Sequence, residues 1–139
     1  MVYRICKRFT VESGHMLSKH PGRCRFPHGH TRTFEIVVSS DRLDANDMVM
    51  DFKTLKTAMR EEVERFDHAM AIHRDDPLLP DLQRVHPDSV IVFDQDPTTE
   101  VLAKTVFEAV AERLYADYGV VLESVRVWET PDSWAEVSR

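Results

Sequence analysis

With 139 residues, 42% of them apolar, the chain has material for one domain with a real core and too little to expect two. Lys and Arg total 18 against 24 Asp and Glu, a formal net charge of -6, and no tail or helix concentrates the basic residues, so nucleic acid and anionic membranes are poor candidates for the partner. No apolar run near the start is long enough for a signal peptide or a membrane span, and Cys6 and Cys24 do not make a disulfide framework; the expectation is a cytoplasmic protein with two free thiols.

Residues 3 to 11 set Tyr3, Ile5, Phe9 and Val11 on one parity and Arg4, Arg8 and Thr10 on the other, the period of a half-buried strand. A second strand is expected from about His30 to Ser39, where Phe34, Ile36 and Val38 alternate with Glu35 and Val37. The two would pair antiparallel across the loop "SGHMLSKHPGRCRFP". Asp51 is placed to cap a helix in which Phe52, Leu55, Met59, Val63 and Phe66 recur at intervals of three and four, a stripe that must face a core.

From His73 to Asp96 the chain is rich in Pro and Asp, and the stretch 74–95 reads as a long insertion in which only "SVIVF" is apolar enough for a short strand. A second helix follows, with Asp96 expected as its N-cap, Pro97 at its first position, Leu102, Val106, Ala109, Val110 and Leu114 on its stripe, and Gly119 closing it. A last strand in "VVLESVRVWET" would carry Val121, Val125 and Val127 on one side. This order predicts an α+β domain over 1–139 with helices on one face of an antiparallel sheet, whose open edges favour assembly into a ring of subunits.

The chemistry concentrates in "CRFPHGH". His28 and His30, two apart where a strand begins, point to one face and can reach a single ion at roughly 2.0–2.1 Å, the zinc–nitrogen distance. His15 would arrive beside them if the first two strands pair. Three imidazoles without a fourth protein ligand describe a catalytic rather than a structural metal site. By itself a His-x-His is as well explained by a hydrogen-bonded pair.

Cys24 lies among Arg23, Arg25 and the histidines, surroundings that favour a thiolate able to act as a base; its alternative is an inert loop thiol. Asp67 beside His68 can orient an imidazole and raise its basicity, or simply finish a helix. Glu129, on the valine parity of the last strand, either sits at an exposed end or binds N–H donors. His20, His73 and His86 stand in polar surroundings and are expected to be solvated.

Together "SGH", "CRFPHGH", "MDFKTLK", "FDHAM", "DPTTEVLAK" and "VWETP" resemble, in order and nearly end to end, the 6-pyruvoyl-tetrahydropterin synthase and 6-carboxy-tetrahydropterin synthase family. The resemblance implies the tunnelling fold, a four-stranded antiparallel sheet with two helices on one face, trimers closing into a barrel and stacking as a homohexamer. It implies Zn2+ on His15, His28 and His30, Cys24 as catalytic base, and Asp67 with His68 as a proton relay. Glu129 would anchor the pterin ring, with Thr98, Thr99 and Thr130 as secondary contacts.

Three residues between Cys24 and His28 resemble the bacterial 6-carboxy members of the queuosine and 7-deazaguanine pathway. That implies conversion of 7,8-dihydroneopterin triphosphate to 6-carboxy-5,6,7,8-tetrahydropterin, acetaldehyde and triphosphate. Elimination of triphosphate to 6-pyruvoyl-tetrahydropterin, and a zinc-containing module that binds a pterin or purine without turnover, are the competing expectations. The chain departs from the family pattern at Thr31 and Arg32, where a small polar residue and an aromatic are usual, at Ala69 and the residues after it, and in the length of the 74–95 stretch.

Overall fold

A computed structural model describes residues 1–139, with strands β1 (Tyr3–His15), β2 (His28–Ser40), β3 (Met70–His73), β4 (Val90–Phe93), β5 (Val121–Thr130) and β6 (Ser133–Ser138) and helices α1 (Phe52–Glu64), α2 (Leu79–Val85) and α3 (Thr99–Tyr118). One sheet runs in the order β4-β3-β1-β2-β5-β6. β1 and β2 pair antiparallel along their whole length, Tyr3 against Ser40 to His15 against His28, as the alternation predicts.

Odd residues of β1 and even residues of β2 face the helices. Phe34, Ile36 and Val38 are buried against Leu55, Met59 and Val63 of α1 and Leu102, Val106, Val110 and Leu114 of α3. Phe34 stacks on Phe66 with ring centroids 5.7 Å apart. Burial of these apolar surfaces is the main term holding both helices to the sheet, at about 25 cal/mol per Å2 removed from water. Arg4, Cys6, Arg8 and Thr10, on the other face, are exposed.

Asp51 caps α1 as expected, its carboxylate accepting from Lys53 N at 2.7 Å. Gly119 ends α3 at φ 68, the left-handed position where a side chain is strained. Asp96 is not the cap of α3. Thr98 is, its Oγ1 accepting from Val101 N at 3.2 Å. The Asp96 carboxylate is drawn to the loop after β1, where it takes Ser18 Oγ, Lys19 N and Ser18 N at 2.6, 2.8 and 3.0 Å.

The sheet has six strands rather than four, and it is mixed. β3 runs parallel to β1 at Gly14 and His15, and β4 parallel to β3 over four pairs. The 74–95 stretch is therefore ordered: "SVIVF" gives β4 as expected, and α2 buries Leu79 with Met16 and Ile72 in a small second core. His73 is buried rather than solvated, because it ends β3 beneath this cover; its Nδ1 accepts from Asp75 N at 2.8 Å.

β5 also departs from the simple alternation. Its register against β2 slips between Val37 and Val38, so Leu122 turns into the core in place of Val121 while Val125 and Val127 keep theirs. β6 was not legible in its short polar sequence and pairs with β5 from Ser138 to Ser133. No helix is long and apolar enough to cross a membrane.

Candidate active site

The hairpin register builds the site. His15 stands directly opposite His28, and Ser13 opposite His30, so three imidazoles from two strands meet on the helix-facing side. Their ring centroids lie 4.5 to 5.1 Å apart, and one ligand nitrogen from each falls within 4.8 Å of the others. Gly29 between them keeps the hairpin close, because a Cβ there would stand 3.1 Å from the Ser13 carbonyl oxygen.

Two of the rings are oriented by carbonyls. His15 Nδ1–H donates to Pro97 O at 2.8 Å and His28 Nδ1–H to Phe26 O at 2.7 Å, which turns each Nε2 lone pair inward. Nε2 of His28 and of His30 is buried and has no hydrogen-bond partner. Burial, reinforced by the Arg32 guanidinium and the neighbouring imidazoles and opposed by the Pro97 carbonyl, pulls His15 down to about 4, and burial and Arg32 also lower His30. Both rings are thus neutral near pH 7, the form that ligates metals. Two orphaned buried nitrogens, on His28 and His30, beside the carbonyl-oriented His15 ring fit one divalent metal ion, since a buried acceptor left unpaired otherwise costs stability.

Glu129 reaches the same point from β5. Its Oε1 lies 3.5 Å from His30 Nε2 and 3.6 Å from His15 Nε2, and it accepts a hydrogen bond from Thr99 Oγ1 at 3.1 Å. Thr99, the first residue of α3, is itself buried. The choice between an exposed end and a bound donor resolves as a half-exposed carboxylate with donors on one side.

Arg32 completes the floor and was not anticipated. Its side chain is 0% exposed. Nη1 donates to Thr99 Oγ1 at 3.1 Å, and Nη2 lies 3.8 Å from Glu129 Oε1. Nη2 is also 3.2 Å from both ring nitrogens of His15, an equidistance that seats the guanidinium against the imidazole rather than end-on to one nitrogen. Burial lowers the guanidinium to about 10 against the opposing pull of Glu129, so it stays a cation at neutral pH. The signal was present: residues 28, 30 and 32 share one strand parity.

At the same end of the hairpin a cavity of about 390 Å3 is lined by His28 and His30 together with Glu12, Ser13, Thr31 and Met70. Asp67 and His68 are tied to its rim through Glu12. Asp67 Oδ1 accepts from Glu12 N at 2.8 Å, and His68 N donates to Glu12 O at 2.6 Å. His68 Nδ1 lies 2.8 Å from Asp67 Oδ2. The Glu12 amide and His68 hold Asp67 below the usual carboxylate range, and Asp67 raises His68. His68 is held at φ 55, an unusual backbone state for a side chain of its size and one that concentrates at functional sites.

Other expected site residues are not gathered here. Cys24 sits on a 3-10 turn (Arg23–Arg25) of the β1–β2 loop, its carbonyl accepting from Leu17 N at 2.9 Å, and it does not line the cavity. Thr98 spends its hydroxyl on the α3 cap. Thr130 donates to Asp132 at 2.7 Å and lines a separate cavity with Arg8 and Trp128 on the open face of the sheet.

Known proteins carry the same plan. Residues 4–139 match the model of the family described as 6-pyruvoyl tetrahydropterin synthase. A protein of Aquifex aeolicus named 6-carboxy-5,6,7,8-tetrahydropterin synthase is 33% identical, with 98% of each chain covered, and one of Synechocystis with the same name is 34% identical over 94% of this chain and 89% of its own. Among solved structures, an uncharacterised protein of Wolinella succinogenes superposes with a TM-score of 0.86 at 27% identity, covering 100% of this chain and 99% of its own. The 6-pyruvoyltetrahydropterin synthase of Plasmodium vivax, at 14% identity, shares the fold with a TM-score of 0.72 over 100% of this chain and 98% of its own. The hairpin with its three histidines, the two helices on one sheet face and the match across residues 4–139 make this chain a member of the 6-pyruvoyl tetrahydropterin synthase family.

Proposed function

We propose that the protein is a zinc-dependent 6-carboxy-5,6,7,8-tetrahydropterin synthase, converting 7,8-dihydroneopterin triphosphate to 6-carboxytetrahydropterin, acetaldehyde and triphosphate. The observation that carries this reading is the cluster of His15, His28 and His30, with two buried unpartnered Nε2 atoms and the Glu129 carboxylate beside them. The names of the relatives that cover the chain end to end, and the three-residue spacing from Cys24 to His28, favour the 6-carboxy product over a 6-pyruvoyl one.

Zinc held by the three histidines would supply Lewis acidity to oxygens of the substrate side chain. The remaining work belongs to side chains of this protein. Glu129 accepts hydrogen bonds from the 2-amino and N3 hydrogens of the ring and fixes its orientation, with Thr99 steadying the carboxylate. Cys24, as thiolate, removes a proton from the substrate side chain. His68, oriented and made more basic by Asp67, carries a proton at the cavity rim. Thr98 and Thr130 would touch the ring only after giving up the partners described above.

The open outer edge of β1, paired only at Gly14 and His15, and the free edge of β6 support assembly through sheet edges into trimers and a homohexamer.

The test is to incubate zinc-loaded protein with 7,8-dihydroneopterin triphosphate, trap aldehydes and identify products by mass spectrometry. Acetaldehyde with a 6-carboxypterin is the expected result. Triphosphate with a 6-pyruvoyl product and no aldehyde would replace the reaction, and zinc binding without turnover would make the protein a binding module.

A further inference from the structure

Glu129 Oε1 stands 3.5 and 3.6 Å from the Nε2 atoms of His30 and His15. Ligands about 2.0–2.1 Å from a tetrahedral zinc are spaced about 3.3–3.4 Å from one another. The carboxylate thus stands at ligand spacing from two of the three nitrogens, on the His15–His30 side of the site, and carboxylates are good zinc ligands. A His3Glu shell would be closed, leaving no position for a substrate oxygen. Two groups pull the carboxylate the other way: the Thr99 hydroxyl at 3.1 Å and the Arg32 guanidinium at 3.8 Å. Arg32 cannot turn to solvent, its Nε has no partner, and Glu129 is its one carboxylate. A buried cation with a single counter-ion competes strongly for that ion.

We propose that Arg32 is a positioning residue that holds the Glu129 carboxylate off the metal, keeping the three-histidine centre open and Glu129 available to the N–H groups of a ligand. The inference rests on the reading of the three histidines as a metal site, and it concerns what this particular chain adds to that site. Arg32 acts on the centre without contacting substrate. Removing an outer-sphere partner ordinarily weakens metal binding by about 10–100-fold, and removing Arg32 is expected to act in the opposite direction.

The experiment is zinc affinity by competition with a chromophoric chelator on the full-length protein and on R32M, R32Q, E129Q and R32M/E129Q. In R32M the freed carboxylate becomes a ligand, so zinc binds about tenfold tighter or more. R32Q, which keeps a donor for Thr99, shifts affinity the same way and stands in for R32M should that variant not fold. The added E129Q returns the affinity to the wild-type level. A packing defect would weaken zinc binding, not strengthen it. Tight zinc binding in the wild type with unchanged or weaker binding in the Arg32 variants overturns this inference alone. An equal gain from R32M in the E129Q background, read as R32M/E129Q against E129Q alone, also overturns it, since a gain that does not need the carboxylate would come from lost charge repulsion. Absence of stoichiometric zinc in the wild type overturns the metal reading and this inference together.

Discussion

The His15 imidazole is fixed by the Pro97 carbonyl, 2.8 Å from its Nδ1 and 82 residues away in sequence, so the first candidate metal ligand depends on where α3 begins. His28 is instead oriented locally, by Phe26 O. Removing the His28 ring therefore tests the metal without disturbing the helix. His28→Ala should lose stoichiometric zinc, read by inductively coupled plasma mass spectrometry, while its far-UV circular dichroism matches the parent protein. Full zinc retention in H28A would remove His28 from the ligand set.

Asp67 and His68 make a pH prediction with a definite sign. Because Asp67 raises His68, the folded protein binds that proton more tightly than the unfolded chain does. His68 therefore contributes to stability below the ordinary histidine range, and that contribution is lost as pH rises through the His68 value in the folded protein, while the contribution of the lowered Asp67 is lost as pH falls through its own folded value. NMR titration should find one imidazole with midpoint above 6.5, returning toward 6.5 in Asp67→Asn. An unshifted midpoint in that variant would show that Asp67 does not set the basicity of His68.

Asp96 joins the β1–β2 loop to the segment before α3. Burial alone would raise its carboxyl, but Ser18 and Lys19 donate three hydrogen bonds and hold it low. Asp96→Ala should cost about 1 kcal/mol, since the donors it leaves unpaired, on Ser18 and Lys19, are only part-buried or exposed. The loop carrying Cys24 should loosen with it. Hydrogen exchange at Ser18 and Lys19 and the rate of Cys24 alkylation should both rise; unchanged rates would mean that the loop is held elsewhere.

Phe34 is 0% exposed and joins β2 to Phe66 just beyond α1. Phe34→Ala should destabilise the domain by about 3–5 kcal/mol through lost burial and a cavity. Denaturant unfolding measures this directly, with the midpoint falling and the slope kept.

Gly119 gives a smaller expected loss. Its φ of 68 with open space around the Cα means that Ala meets no neighbour and suffers only backbone strain. Gly119→Ala should cost about 1–2 kcal/mol, and Gly119→Asn less than Ala, since Asn tolerates the left-handed region. Equal stability of all three would show that α3 ends differently in solution.

Much of this molecule follows from local patterns. The parity of β1 and β2, the stripes of α1 and α3, the Asp51 cap and the Gly119 stop depend on side-chain spacing within one element, and each appears where its pattern predicts, except that Phe52 at the start of α1 and Ala109 in α3 turn out to solvent instead of joining the core. The pairing of the first two strands then brings His15 to His28, since a hairpin's register is set by alternation and by its loop. β3, α2 and β6 are short and carry no clear period; they exist because neighbours supply their hydrogen bonds and cover. Asp96 has the composition of a cap, but three donors on a distant loop outbid the helix for its carboxylate.

The divide runs through the candidate active site itself. Sequence determined which nitrogens meet, because His28 and His30 share a strand face and the hairpin register sets His15 directly opposite His28. Tertiary structure decided what surrounds them. Thr33 pairs with Trp128, so Arg32 and Glu129, the next residues along β2 and β5, stand side by side, and α3 delivers Thr99 between them from 67 residues beyond Arg32. Local periodicity fixes the face a side chain takes, but only the crossing of separate elements decides which charge it meets there.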